Sequence, residues 1–326
     1  MTLPYYLRLL CLCLATFYVV HAMVWLVVRG TSSAAVKIAG TMRPRMASRL
    51  LFAMRIAPMA VTSFLVVGFC VPSYIWLEPD ITGERVGWFC LLAAATGAVA
   101  WAISLLRGFI SMVRTENYVR RCRRELGTEE QSPESADVVV LNGANAVMAV
   151  AGVVHPRLVV SQRVLDALSD DQREAAFRHE AAHRASRDNL KRLLLMLSPD
   201  VMPLMGGLGR IEHAWATFTE WAADDEAVDG SQDRALSLAS ALVRVAKLGV
   251  HSAPGYVLSS LLENDRDLET RVDRLLREPA YAEKPLQPVV AFLRSAALVV
   301  GSVAVTLMMW PGSLGNIHRL LEHLVQ

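Results

Sequence analysis

Four long stretches of the chain are almost free of charged residues, and polar segments separate them. They are residues 9–28, 56–77, 88–106 and 288–310. A helix needs about 20 apolar residues to cross a bilayer, so each stretch is long enough for one span. The fourth stretch carries only Arg294, close enough to its start for the guanidinium to reach the interface. The pattern predicts an integral membrane protein with four transmembrane helices.

The composition supports this prediction and narrows the function classes. The chain is 53% hydrophobic and 20% charged, with a mean hydropathy of +0.34. Since soluble domains are about a quarter charged, these values argue against a wholly soluble, disordered or coiled-coil protein. The formal net charge of +2 is too small to indicate nucleic-acid binding, so we expect the lipid bilayer and no direct nucleic acid among its partners.

Basic residues are distributed unevenly between the loops, which predicts the orientation. The loop 29–55 holds six basic residues and no acidic one, the loop 78–87 is short and acidic, and six arginines lie between residues 107 and 124. We therefore expect three spans in residues 1–106, a cytoplasmic domain in 107–287, a fourth span in 288–310 and a short external tail in 311–326. The spans would cross the cell membrane, which is an inner or plasma membrane, and both termini would lie on its outer side.

Residues 107–287 have the composition of a globular domain. Three short runs rich in β-branched residues, 137–142, 146–152 and 157–161, predict strands, and the pattern is then helical to residue 277. Ser169, followed three positions later by Gln172, has the form of a capping box that opens a helix. This order of elements predicts an α+β domain.

The predicted helix after Ser169 contains the motif His179-Glu180-Ala181-Ala182-His183. Residues four apart share one helix face, so both imidazoles can reach one zinc ion at about 2.0–2.1 Å. Glu180 is placed to take a proton from zinc-bound water, whose pKa the metal lowers to roughly 7. Two surface histidines on an amphipathic helix are the alternative interpretation.

A third ligand is expected downstream, because a catalytic zinc usually has three protein ligands. Glu220 and Asp224 lie one helical turn apart, so Glu220 can ligate while Asp224 accepts the free N–H of a liganding histidine. The alternative is a solvated acidic helix face. His213, two turns before Glu220, is a candidate for stabilising an oxyanion.

The sequence HEAAH, followed by RDNLKRLLL, an apolar patch and EWAAD, resembles the BlaR/MecR-type membrane zinc peptidases. These are gluzincins, related to thermolysin and to the HtpX-type membrane proteases. The resemblance covers the four-span layout and about residues 140–280. It implies an α+β gluzincin domain with one Zn²⁺ per chain, bound by His179, His183 and Glu220. The resemblance also implies that Glu180 is the catalytic base and that Asp224 orients one of the zinc ligands.

Two weaker correspondences concern the substrate. The family carries an Asn-Ala strand similar to Asn145-Ala146 here, which implies that a peptide adds to an edge strand containing Ala146, Met148 and Val150. Arg271 resembles an arginine in a late helix of the family and is a candidate substrate or oxyanion helper.

One feature departs from the family. The β-lactam receptors carry an extracellular sensor after the last span, and its acylation needs a Ser-x-x-Lys motif. Only residues 311–326 follow the fourth stretch here, and the last lysine is Lys284. We therefore expect a peptidase without the β-lactam receptor role.

The resulting hypothesis is a membrane zinc endopeptidase that cleaves a protein or peptide on the cytoplasmic side in proteolytic signalling, with a transcriptional repressor as a candidate substrate. An HtpX-like quality-control protease and a non-catalytic zinc-binding scaffold are the alternatives. The oligomeric state stays open.

Overall fold

The computed structural model describes residues 4–77, 86–125, 138–141, 147–153, 156–200, 207–249, 258–260 and 265–277. The expected fourth span, the external tail and most of the short acidic loop lie outside these ranges, as does Ala146.

Three helical stretches are long and apolar enough to cross a membrane: Tyr5–Ala39, Pro44–Leu77 and Trp88–Asn117. The first is helix α1 (Tyr5–Ala39). The second consists of α2 (Pro44–Leu65), a π-helical segment (Val66–Cys70) and α3 (Val71–Leu77), and the third lies in α4 (Trp88–Glu125). Helix α1 has 35 residues, many more than a helix needs to cross the apolar core of a bilayer. At the end where α1 and α2 are connected, the helices therefore extend beyond the length that one span needs.

The polar part of the chain forms six further helices within the described ranges. They are α5 (Gln162–Ala167), α6 (Asp170–Ser186), α7 (Asp188–Leu197), α8 (Gly209–Val228), α9 (Gln232–Lys247) and α10 (Asp265–Leu276). The capping box predicted for α6 is present, because Ser169 Oγ accepts from the Gln172 amide and Gln172 Oε1 accepts from the Ser169 amide. Asp170 and Asp171 in the first turn add favourable charge at the helix N-terminus.

A four-stranded sheet accompanies these helices, in the order β1-β3-β2-β4. Its strands are β1 (Val138–Leu141), β2 (Met148–Ala151), β3 (Arg157–Ser161) and β4 (Leu258–Ser260). β1 pairs with β3 in parallel, and β2 pairs antiparallel with both β3 and β4. The position of β4 corrects the expectation of continuous helix up to residue 277.

Two hydrophobic clusters fix the relative positions of the helices. One joins the sheet to α6 and α9 and includes Met148, Val160, Leu238 and Leu242. The other joins the connected end of the α1–α2 hairpin to α8. Helix α8 therefore lies between the membrane hairpin on one side and α6 on the other.

Candidate metal centre

Helix α6 brings its two histidines to one face, where both rings are fully buried. His179 and His183 are four residues apart, and their Nε2 atoms lie 3.1 Å from each other. Small side chains make this possible, because Ala175, Ala176 and Ala182 let the neighbouring elements approach the helix closely. The α6 face therefore presents two imidazole nitrogens to one point.

Helix α8 brings a carboxylate to the same point. Glu220 Oε2 lies 3.5 Å from His179 Nε2, and Glu220 Oε1 lies 3.5 Å from His183 Nε2. A tetrahedral zinc ion with bonds of about 2.0–2.1 Å separates its ligand atoms by roughly 3.4 Å. The separation of the two histidines, and the separation of each histidine from one of the two oxygens of Glu220, are close to that value. One ligand atom from each of the three buried residues lies within 4.8 Å of the other two. Two imidazoles and a carboxylate also form a donor set that zinc prefers, so the residues fit the metal.

Each histidine contacts a second carboxylate through its other nitrogen. Asp224 Oδ1 lies 3.0 Å from His179 Nδ1, where Asp224 was expected. Asp188 Oδ2 lies 2.8 Å from His183 Nδ1, a contact that the sequence pattern did not predict. Such carboxylates fix the tautomer in which Nε2 is free to bind a metal, and they raise its basicity.

The chain direction at Arg187 explains the position of Asp188. Arg187 has a left-handed backbone (φ 54°), which ends α6 and starts α7 in a new direction. The turn brings Asp188, five residues after the second histidine, back onto the imidazole of His183. Lys191, one turn further along α7, donates to Asp188 Oδ1 at 2.7 Å. The only sequence signal for this role was an acidic residue directly after the motif helix.

Arg271 of α10 reaches into the site, but it contacts the carboxylates there. Its Nε and Nη2 donate to Asp224 at 2.9 and 2.6 Å, and its Nη1 lies 3.1 Å from Glu220 Oε2. Its Nη2 also lies 3.5 Å from His179 Nε2. Arg271 therefore holds Glu220 and Asp224 in place. The predicted action of Arg271 on the substrate stays a prediction.

Glu180 is buried beside the two histidines. Among the residues that the structure describes, no group hydrogen-bonds either of its carboxylate oxygens. Burial raises the pKa of this carboxyl to about 7, and the positive charges of His179 and His183 offset only part of that effect. A carboxylate with such a pKa can both accept and return a proton near neutral pH.

The surrounding charges favour a cation at the centre. Burial opposes ionisation of Asp224, yet the guanidinium of Arg271 lowers its pKa to about 2. Burial likewise opposes the charged form of His183, yet the charge of Glu220 and the contact with Asp188 raise its pKa to about 10. Asp224 and Glu220 thus stay ionised and favour positive charge at the imidazoles, which a divalent cation also supplies.

His213 does not join this cluster. Its side chain is exposed on α8, and no contact described for the chain connects its ring with a candidate ligand. The separation of two turns from Glu220 predicted that His213 shares the helix face of Glu220. In the structure, the side chain of His213 is exposed to solvent. The structure gives no support for an oxyanion role of His213.

The expected edge strand is also different. β2 lies inside the sheet, because β4 pairs with Ala149, Val150 and Ala151 on the side away from β3. Met148 and Val150 are buried in this strand, and Asn189 of α7 donates to the Val150 carbonyl at 2.9 Å. The prediction that β2 offers a free edge to a peptide is therefore wrong, because a strand from much later in the chain occupies that edge.

Comparison with known protein families gives one match. A sequence model described as Peptidase family M48 matches residues 113–284, which is more than half of the chain. The matched residues include α6, α8 and α10, and therefore every group of the centre described above. No curated protein matches the chain significantly.

Proposed function

The chain belongs to peptidase family M48, a family of metallopeptidases, and on this premise we propose that it is a zinc-dependent endopeptidase of the membrane. His179, His183 and Glu220 would hold the ion. The observation that carries the proposal is the buried three-ligand cluster with the carboxylate of Glu180 beside it, which no group in the described part of the chain hydrogen-bonds. Zinc, when bound, polarises a peptide carbonyl and lowers the pKa of water.

The residues of the chain divide the remaining work. Glu180 accepts a proton from the attacking water and returns it to the leaving amine, which its pKa of about 7 allows. Asp224 and Asp188 keep the two imidazoles in the binding tautomer. Arg271 neutralises part of the negative charge of Glu220 and Asp224, so that both stay ionised in a buried site.

The ligand number favours catalysis over a scaffold role. Structural zinc sites are usually closed by four protein ligands, whereas catalytic sites use three and keep one position open. Among the described residues, three side chains form the candidate cluster. The buried carboxylate of Glu180, which has no hydrogen-bond partner among the residues that the structure describes, has a use in hydrolysis and none in a closed structural site.

We further propose that substrates are cut close to the membrane on the cytoplasmic side. The loop charges support that side. Glu212, near the start of α8, pairs with Arg55, the last charged residue before the apolar stretch of the second span. Glu220 follows Glu212 by two helical turns, which is about 12 Å along the helix. The centre therefore lies near the end of the apolar stretch.

We propose proteolytic signalling as the physiological role, with a cytoplasmic repressor or another membrane-proximal protein as the substrate. The support is the resemblance in the order of spans and motifs to the BlaR/MecR type. Turnover of damaged membrane proteins, as in the HtpX type, is the alternative within the same chemistry.

The test uses the full chain purified in lipid nanodiscs with a fluorogenic peptide mixture and an unfolded protein such as casein. We expect hydrolysis that a zinc chelator abolishes and stoichiometric zinc restores. Glu180→Gln should bind zinc normally and hydrolyse the substrates about 10²–10⁴-fold more slowly. Hydrolysis that resists both the chelator and Glu180→Gln would exclude this chemistry.

A further inference from the structure

The helix that carries Glu220 is supported along its length by a membrane helix. α8 lies antiparallel to the N-terminal part of α2, and both are joined to α1 by one hydrophobic cluster. Three polar pairs follow this seam in order, Arg55–Glu212, Ser48–Thr219 and Arg45–Glu226. Glu220 and Asp224 lie outside this seam, on the side of α8 that contacts the histidines of α6.

The middle pair lies directly behind the metal centre. The hydroxyls of Ser48 and Thr219 are 2.8 Å apart, and the two residues are only 5% and 3% exposed. Thr219 immediately precedes Glu220. Because consecutive residues of a helix move together, the hydroxyl pair fixes the rotation of α8 about its axis at the ligand itself.

The pair nearest the membrane fixes the position of α8 along its axis. Arg55 Nε donates to Glu212 Oε1 at 2.6 Å, and Arg55 Nη1 donates to Ser198 at the end of α7 at 3.0 Å. The arginine side chain is buried, so its charge is tied to these partners. One residue of α2, directly before the apolar stretch of the second span, therefore contacts the ends of two helices of the site.

We propose that Ser48 of the second membrane helix is a positioning residue that, through Thr219, sets Glu220 at binding distance from the zinc ion. This inference rests on the proposed function, because it concerns the same metal centre. It makes the membrane hairpin part of the metal centre, so a displacement of α2 changes the affinity of the site for zinc.

The test compares single changes at the seam in the full chain. Thr219→Val and Ser48→Ala each leave the other hydroxyl buried without its partner. We expect each to weaken zinc binding about 10-fold, in the range seen for groups that orient a metal ligand. Thr219→Ser keeps the hydroxyl and should bind zinc as the unchanged protein does.

The double variant Ser48→Ala with Thr219→Val measures whether the two hydroxyls act together. If the two hydroxyls act as one hydrogen-bonded pair, the double variant loses no more zinc affinity than either single variant. Arg45→Gln is the matched control on the same two helices, because the Arg45–Glu226 pair is exposed and such pairs contribute little. It should leave the zinc affinity within twofold.

Zinc affinity is measured by competition with a chelating indicator, and the melting of the zinc-free protein is followed in parallel. A purely structural role would lower the melting temperature and leave the affinity of the folded protein unchanged, which would overturn the inference. Glu220→Ala is measured alongside. If Glu220→Ala loses zinc while Thr219→Val and Ser48→Ala bind zinc normally, only the positioning role fails. If Glu220→Ala also binds zinc normally, the proposed metal centre fails.

Discussion

The two carboxylates behind the histidines should differ in importance, and the structure predicts the order. Asp188→Asn and Asp224→Asn each remove one negative charge from a contact with a zinc-binding imidazole, at 2.8 and 3.0 Å. Losing such a carboxylate typically weakens metal binding about 10–100-fold, which is about 1.4–2.7 kcal/mol. We expect Asp188→Asn near the lower limit and Asp224→Asn near the upper.

The difference follows from the second partner of each carboxylate. Lys191, which pairs with Asp188, is 26% exposed, so its ammonium can turn toward water after the change. Arg271, which pairs with Asp224, is 3% exposed and cannot. In the absence of the Asp224 carboxylate, the guanidinium of Arg271 still contacts Glu220 and competes with the ion for it.

The assay is chelator competition for zinc on the detergent-solubilised full chain, with thermal unfolding followed in both zinc-free and zinc-loaded protein. Asp225→Asn is the matched control, since Asp225 lies next to Asp224 on α8 but bonds Arg274 and faces away from the centre. It should change the affinity less than twofold. Equal losses for Asp188→Asn and Asp224→Asn, or a larger loss for Asp188→Asn, would refute the reasoning about Arg271.

Three further outcomes are expected. Glu180→Gln should reduce peptide hydrolysis about 10²–10⁴-fold while zinc content, measured by elemental analysis, stays at one ion per chain, because it removes a base and no ligand; a fully active variant would contradict the assignment. Glu220→Ala should lose most of its zinc, whereas Glu226→Ala, whose partner is an exposed arginine, should keep zinc and activity; the reverse result would mean that the face of α8 is misassigned. Single cysteines at Gly40 and Gln131 should react only with a membrane-permeant maleimide in intact cells, and labelling of either by an impermeant reagent would place the centre outside the cytoplasm.

The parts of the site that could be predicted from the sequence depend on local periodicity. The four-residue spacing of His179 and His183 fixes a shared helix face wherever the helix lies, and the same holds for Glu220 and Asp224. The start of α6 was predictable as well, because the Ser169 capping box is a contact between residues three apart. Each of these features is determined within one or two helical turns.

The parts that could not be predicted depend on pairings distant in the chain or on one unusual backbone angle. β4 pairs with β2 from a distant part of the chain, and nothing in its three-residue sequence indicates that partner. Asp188 reaches His183 only because Arg187 adopts a left-handed conformation, which is uncommon for a residue other than glycine. A continued α-helix would have placed Asp188 on a different face from His183, since five residues advance the helix by about 500°.

The amphipathic pattern of α8 does not indicate that the hairpin of α1 and α2 supports the metal centre. Trp215 and Phe218 predict a buried helix face, but burial alone does not say which element covers it. The structure covers this face with Ala47 and Leu51 of α2, both fully buried, so the cover comes from the connected end of a membrane hairpin. Small residues on α2 let α8 approach closely enough for the buried hydroxyl contact beside Glu220. One face of α8 carries Glu220 and Asp224, and another face packs on α2. A movement of α2 that α8 follows therefore also moves these two carboxylates.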